Sequence, residues 1–344
     1  YDFDGSNISQ MLDILSYNTY LNSYYLNMVA NEMFLDSSVQ RNSVVSHAKM
    51  LNYIPRSAVS SKASIKLQVN QVSTSTLTLP KFTPFLSEAI DGVNYTFLTK
   101  DSATVNVTAN TAIFNNIEIA EGVAASSAFT VNTASNPKLI FTISDANIDI
   151  STLIVSVQDS STSLVYNTYT RTTDYIALEP TSKVYFLQEG MNGFYEIYFG
   201  DGILGSTLID GNVVNISYIS TGGTSAFGAN SFSIMSSVGG YSNTVISPIT
   251  SAFAGADKKT ISSIKYTAPK AYAAQGRAVT KEDYIYLIQN NSTNLPIESV
   301  SVWGGEENIP PVYGQIFCAV KPSGGLTLTP SQKDKLVTEV IKPI

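Results

Sequence analysis

The side chains able to do chemistry are few and far apart. His47 is the single histidine and Cys318 the single cysteine among 344 residues. Nucleophilic catalysis needs a base beside its nucleophile. These two fall in segments of different pattern, so a Cys–His pair is not expected. Hydrolytic triads and histidine-rich zinc sites fail for want of ligands, and one cysteine cannot form an internal disulfide. Cys318 stands in a strand-like stretch, where a lone cysteine is expected as a small buried hydrophobe. Asp2, Asp4 and Ser6 echo the start of a calcium loop. That loop needs glycine sixth and glutamate twelfth; here Gly5 is fourth and Asp13 twelfth. Capping of a helix by Asp4 and Ser6 explains these residues better. Gly200, Asp201, Gly202 and Gly205 have the glycine density of a phosphate loop but lack its Lys-Ser/Thr and the helix that should follow. A hairpin turn is the better reading. Glu306 and Glu307 are adjacent acids, and paired carboxylates can hydrolyse glycosides, but a solvated loop after Gly304-Gly305 accounts for them. Twenty tyrosines could stack on sugars, yet they are scattered and Trp303 is the single tryptophan. They read as core and interface material. No catalytic, cofactor-binding or metal site is expected, and no cofactor.

Composition narrows the class further. Charged residues make up 14% of the chain, against about 25% in ordinary soluble domains. Ser, Thr and Asn take their place on what read as wet strand faces and turns. So uncharged a chain is expected to have much of its surface covered by partners. The net charge of −7 disfavours nucleic acid, whose binders carry a basic stripe. No apolar run reaches the roughly 18 residues of a membrane span, so no membrane insertion is expected. The chain begins at Tyr1 and stops inside an apparent helix, which reads as part of a longer protein.

The elements that must hold these residues follow from periodicity. Residues 1–56 read as a helical arm. Asp4 or Ser6 caps its start, and Pro55 enforces a stop. Ile14, Tyr17, Leu21, Tyr24 and Met28 alternate at spacings of four and three, a coiled-coil-like seam. Met11, Leu15, Tyr25, Val29 and Met33 lie off it, so the helix wants neighbours on more than one side. Asp36-Ser37-Ser38 should divide it from a second helix carrying Val44, Val45, Ala48 and Leu51.

From residue 57 the period becomes two. Ile65, Leu67 and Val69 alternate with polar residues, as do Val93, Tyr95 and Phe97, and Val214, Ile216 and Tyr218. Asp91-Gly92, Asp201-Gly202 and Asp210-Gly211 suit tight hairpin turns. Gly200, Asp201, Gly202, Asp210 and Gly211 are therefore assigned a turn role. Two antiparallel β-rich domains, 57–135 and 136–222, are expected, divided near Asn136-Pro137. Residues 223–264 read as a Gly/Ser/Thr-rich connection. Residues 265–344 read as a small α+β domain. In it, helices near 281–290 and 331–341 cover a sheet with strands at Ser299–Trp303 and Gln315–Lys321. Leu336, Val337, Val340 and Ile341 should face inward. The fold class is thus a multidomain α+β chain: helical arm, antiparallel β-rich middle and α+β end.

Four stretches, in order, resemble one family. YEIYFGDGILGSTLIDG at Tyr195–Gly211, followed by NVVNISY, is similar to a strand–turn–strand signature of baseplate J-like proteins. APKAYAAQGRAVTKEDY within Lys265–Ile288 resembles the same family. VWGGEENIPPVYGQIFCAVKPSGG, ending at Gly325, and the opening DFDGSNISQMLDILSYNTYLNSYYLNMVANEMF resemble its wedge-protein branch from T-even-type contractile-tailed bacteriophages. The resemblance implies a non-enzymatic structural subunit of the virion, in the tail baseplate, assembled in the host cytoplasm. It implies a ring around the tail tube whose rearrangement triggers sheath contraction. It also implies partners: other copies of the chain, other wedge subunits through a helical bundle, and sheath-initiating and tube-proximal tail proteins. Ile14, Tyr17, Leu21, Tyr24, Tyr25 and Met28 would be the bundle contacts. A tail-associated adhesin or carbohydrate-binding protein is the alternative. The single Trp303 and the helical arm speak against it.

Overall fold

The computed structural model describes residues 6–342 except 174–177, 254, 292–296, 323–326, 329–332 and 335. Strand outweighs helix, 37% against 23%, so the chain is β-rich. Helix α1 (Asn7–Glu32) starts at Ser6, whose hydroxyl accepts from the Ser9 N–H at 3.2 Å; Asp4 lies outside the described residues. Helix α2 (Arg41–Met50) follows a turn that contains Asp36, Ser37 and Ser38. Its stop is Asn52, with φ of 55°, rather than Pro55. Asparagine is among the few residues that enter this left-handed region readily.

The strands then run β1 (Lys62–Asn70), β2 (Thr76–Leu79), β3 (Pro84–Ser87), β4 (Thr96–Thr99), β5 (Ala103–Asn106) and β6 (Thr111–Glu121). Next come β7 (Val123–Thr130), β8 (Ile140–Ile143), β9 (Ile148–Gln158), β10 (Asn167–Arg171), β11 (Val184–Glu189), β12 (Tyr195–Phe199) and β13 (Val213–Ser220). Strands β14 (Phe232–Ile234) and β15 (Thr244–Phe253) precede helices α3 (Ile261–Ala274) and α4 (Lys281–Asn291). Strands β16 (Ile297–Gly304) and β17 (Ile316–Pro322) and a π-helical segment (Leu336–Ile341) complete the chain. One sheet has the order β14-β3-β4-β6-β1-β15, a second β7-β13-β9-β10-β11-β12-β8, and two small sheets pair β2 with β5 and β16 with β17. Pairing is antiparallel except between β10 and β11.

Period-two burial builds both cores. Ile65, Leu67 and Val69 of β1 are fully buried in the first, with Phe85, Phe97 and Phe114. Val214, Ile216 and Tyr218 of β13 lie in the second, with Tyr195 and Ile197. At the C-terminal end Ile288 of α4, Val302 of β16, and Leu336 and Val340 of the π segment form a separate cluster. The two strands expected there share one sheet, with Val302 opposite Cys318.

Several expectations are corrected. The chain first leaves the first sheet at Gly122, not near Asn136-Pro137, because β7 already belongs to the second sheet. The expected connection 223–264 supplies β14 and β15 to the first sheet. Strand β15 lies at an edge, where both of its faces are largely wet, so no apolar alternation marks it. Helix α3 runs through a stretch that the sequence pattern does not mark as helical, because Pro269 sits inside it and proline reads as a breaker. Val93 is exposed: the bridge between Ile90 and Val93 closes a two-residue turn at Asp91-Gly92, with φ of 50° and 84°. Cys318 is exposed: Val302 opposite it joins the apolar cluster, which does not include Cys318. Val337 is exposed too, whereas Leu336 and Val340 turn inward and Ile341 packs partly against the same cluster.

The turns after β12 also differ from the expected hairpins. In the second sheet β11, β10 and β9 stand between β12 and β13, so residues 200–212 are a loop between non-adjacent strands. The Asp201 carboxylate accepts from the Ile203 and Leu204 N–H groups, both at 2.9 Å. Gly202, at φ 88°, donates to the Gly205 carbonyl at 3.0 Å. The Asp210 carboxylate accepts from the Thr133 N–H at 2.7 Å and its hydroxyl at 3.0 Å. Gly211, also at positive φ, donates to the Val131 carbonyl.

Gly122 is where the chain passes from one large sheet to the other. Its φ is 136°, and a Cβ there would lie 2.4 Å from both the Ser220 carbonyl oxygen and Ile219 Cγ2. At Gly202 the nearest atom to such a Cβ is Thr207 Cγ2 at 3.7 Å, an ordinary contact. Gly122→Ala therefore combines backbone strain of about 1–3 kcal/mol with a backbone clash, while Gly202→Ala carries only about 1–2 kcal/mol of strain. Thermal unfolding of the two variants should show the larger loss for Gly122→Ala. The reverse order contradicts the packing described at the crossover.

Candidate assembly surface

Helix α1 presents the expected contact residues without covering them. None of its residues is buried. Ile14 is 68% exposed, Tyr17, Tyr24 and Tyr25 are exposed to similar degrees, Met28 is 38% exposed and Leu21 is half-buried. Tyr24 and Tyr25 meet only each other among the aromatic rings, edge to face at 5.9 Å. The exposed apolar set also includes Met11, Leu12, Leu26 and Val29, which at 100° per residue spread the apolar surface over about two-thirds of the circumference. An apolar arc this wide calls for neighbours on more than one side. Among its described residues only Asp13 and Glu32 are charged, so electrostatics gives little reason for the free surface. The turn residues Gly200–Gly202, Asp210 and Gly211 lie on the loop beyond β12 and form no common cluster with this helix.

The root of α1, by contrast, is fixed. The Glu32 carboxylate accepts from the Val39 N–H at 2.8 Å and the Gln40 N–H at 3.2 Å, where α2 begins. The Ser43 hydroxyl, followed by these amides, holds Glu32 below the usual carboxylate range. His47 Nε2 lies 2.9 Å from the Glu32 carbonyl oxygen, so the one histidine caps a helix end rather than meeting Cys318. Lys265 of α3 donates to the Asp36 carbonyl at 2.8 Å. Helix α2 packs Val44, Val45 and Ala48 against Ile264 and Ala268 of α3.

A buried polar joint, not foreseen from the sequence, ties this helical root to the second sheet. The Glu189 side chain, at the end of β11, is 0% exposed. One of its oxygens accepts from Arg41 Nε at 2.7 Å and the other from Nη2 at 3.1 Å. Lys258 Nζ lies 3.3 Å from the same carboxylate, donates to the Gly193 carbonyl and stands over the Tyr195 ring. Arg41 Nη1 donates to the Lys259 carbonyl at 2.6 Å, and the Tyr195 hydroxyl to the Pro55 carbonyl at 3.0 Å. Lys259 Nζ reaches Tyr53 at 2.8 Å and Asn290 of α4 at 2.6 Å. Desolvation, with Arg56 nearby, pulls Lys259 down to about 8. Desolvation lowers Lys258 as well, against the pull of Glu189, and raises the Tyr195 hydroxyl far above its usual range. One sequence signal was available: Glu189 ends the apolar run VYFLQE, and an acid there needs a cation.

The adjacent acids Glu306 and Glu307 lie in a local turn rather than forming a carboxylate pair across a groove. Lys281 pairs with Glu307, next to Glu306 in a short 3-10 turn. Among the described residues no group of three or more His, Cys, Asp or Glu is placed to hold a metal ion. Nor, among the described residues, is any helix long and apolar enough to cross a membrane.

Removing one partner of a buried ion pair costs about 3–5 kcal/mol, whereas exposed pairs contribute about 0–1 kcal/mol. Arg41 is partly exposed, so Arg41→Ala should cost on the order of 3 kcal/mol, near the low end of that range. Lys321→Ala, which loses an exposed pair with Glu298, should cost under about 1 kcal/mol. Denaturant unfolding checks both. Equal losses contradict the role given to Glu189.

Two family models match the chain. Residues 128–232 match the third domain of the bacteriophage baseplate wedge protein gp6. Residues 280–342 match C-terminal domain I of the baseplate structural protein gp6. The baseplate wedge protein gp6 of Enterobacteria phage T4 is 26% identical over 363 residues, covering 98% of this chain and 53% of that protein. The chain thus spans about half the length of that relative. Among solved structures, the baseplate of the anti-feeding prophage matches at 11% identity and a TM-score of 0.33, over 97% of this chain and 64% of that one; a likeness this low carries no argument. By sequence the chain is thus similar to bacteriophage baseplate wedge proteins of the gp6 kind, with two of their domains matched in order.

Proposed function

We propose that this chain is the part of a wedge subunit that links wedges into the ring around the tail tube, whose rearrangement triggers sheath contraction. Its role is mechanical rather than enzymatic. Helix α1 joins a helical bundle with other wedge subunits, through Ile14, Tyr17, Leu21, Tyr24, Tyr25 and Met28. Other copies of the chain are partners as well, and sheath-initiating and tube-proximal tail proteins lie beyond them.

The observation that carries this reading is the contrast along α1. Its root is fixed by hydrogen bonds to α2, while its length of 26 residues, about 39 Å at 1.5 Å per residue, has no buried residue. Fully burying one large apolar side chain is worth about 1.5–3 kcal/mol, so several of them together supply a large driving force for association. A long apolar helix held at one end is suited to reaching neighbouring chains and transmitting their movement to the sheets at its root.

The double substitution Leu21→Asp, Met28→Asp tests it. Neither side chain is buried in the chain alone, so melting should shift little, by about 0.5 kcal/mol per site. Assembly with the remaining wedge subunits should be lost. Wild-type incorporation of the double variant into wedges rules out the bundle.

A further inference from the structure

Strand β10 changes partner midway. It pairs with β9 at Asn167, Thr168 and Tyr169, and with β11 at Thr170 and Arg171. Beside this change of partner lies a cavity of about 430 Å3, within the size range of small-ligand pockets. Ile150, Leu153 and Ile154 of β9 give it apolar walls, and Arg171, Tyr185 and Lys100, just beyond β4, give it polar ones. None of the described lining residues is acidic. Two of its polar groups are unused. The Arg171 guanidinium has five N–H donors, and among the described residues it makes no hydrogen bond or ion pair. The residue as a whole is exposed, yet enough protein surrounds the guanidinium for desolvation to lower it. Tyr185 stands opposite Arg171 in the β10–β11 register and is 4% exposed. Its hydroxyl likewise has no hydrogen-bond partner among the described residues, a costly state for a buried polar group. Burial raises that hydroxyl, against the pull of Arg171, so it stays protonated and able to donate. Lys100 differs, being paired with Glu118 at 3.4 Å.

We propose that this cavity binds a carboxylate carried on a short aliphatic stem. The Arg171 fork takes the two carboxylate oxygens, the geometry in which guanidinium and carboxylate match best. The Tyr185 hydroxyl donates to one of them, and the stem lies against Ile150, Leu153 and Ile154. Charge selects a carboxylate over a phosphate dianion. Among the described lining residues Arg171 is the cation without an acid partner. Glu118 beside Lys100, and Asp149, which accepts from the Ser151 hydroxyl at the cavity wall at 2.7 Å, already add negative charge nearby. One carboxylate balances Arg171; a second negative charge would face these acids. A free short-chain acid and a glutamate side chain of another protein present the same group.

Butyrate, which reproduces a glutamate side chain from Cα outwards, is the probe, and the isolated chain suffices, so the result does not depend on what covers α1. The Arg171 Nε–H resonance, identified by its loss in Arg171→Gln, should shift saturably as butyrate is added. Butyramide, of the same shape without the charge, should bind about tenfold more weakly, and inorganic phosphate should also bind more weakly. Tyr185→Phe should weaken butyrate binding with the fold retained, and Arg171→Lys, which keeps the charge but loses the fork, should weaken it too. No saturable shift, butyramide binding equal to butyrate, or phosphate binding tighter than butyrate overturns the proposal. So does undiminished butyrate affinity in a folded Arg171→Gln chain, read by calorimetry. A second arm separates the sources. If a side chain of another subunit fills the cavity, Arg171→Gln and saturating butyrate each reduce incorporation into wedges. If a free acid fills it, both leave incorporation unchanged while butyrate still binds the isolated chain.

Discussion

A carboxylate withdrawn from water must be paired, and in this chain that requirement falls on Glu189. Its cations come from distant parts of the sequence: Arg41 from the start of α2 and Lys258 from the segment before α3. Satisfying one buried charge therefore brings the helical root, the end of β11 and the approach to α3 to a single point. Lys259 extends the joint to Tyr53 and to Asn290 of α4. Such an ion pair fixes placement rather than adding net stability, since an apolar replacement can be equally stable. An apolar joint between smooth surfaces can slide, whereas a two-point guanidinium–carboxylate contact fixes angle as well as distance.

Two further buried acids tie the large sheets together. Glu121, at the end of β6, accepts from the Thr221 hydroxyl at 2.6 Å. Asp149 of β9 accepts from the Ser60 N–H at 2.9 Å. Burial raises Glu121 above its ordinary range. With Gly122 allowing close approach at the crossover, the sheets meet through polar contacts and the small apolar set of Leu98, Ala120 and Ile219. The result is a body with several internal ties from which one long, unsupported apolar helix extends. The polar links between α1 and the sheets run through Glu32, His47 and the Glu189 joint.

The sequence disclosed what depends on local periodicity. The burial of Ile65, Leu67 and Val69, and of Val214, Ile216 and Tyr218, follows from alternation. So does the pairing of the two C-terminal strands, because each carries its own apolar side. What escaped depends on distant partners. Strand β15 earns its place by pairing with β1 and shows no alternation of its own. The 200–212 turns have the residues of hairpins, yet β9, β10 and β11 occupy the space where the partner strand would lie. Cys318 has a strand neighbourhood but no covering layer. The Glu189 joint joins residues 148 and 69 positions from the acid, beyond the reach of any local pattern.

In the proposed assembly α1 is covered by other chains and not by its own. Amide hydrogen exchange on the chain alone and in an assembled wedge measures this directly. The account predicts that α1 amides between Asn7 and Glu32 exchange rapidly in the isolated chain and become protected on assembly, while β1, β6, β9 and β13 are equally protected in both. Strong protection of α1 in the isolated chain, or rapid exchange that persists in the wedge, would contradict it.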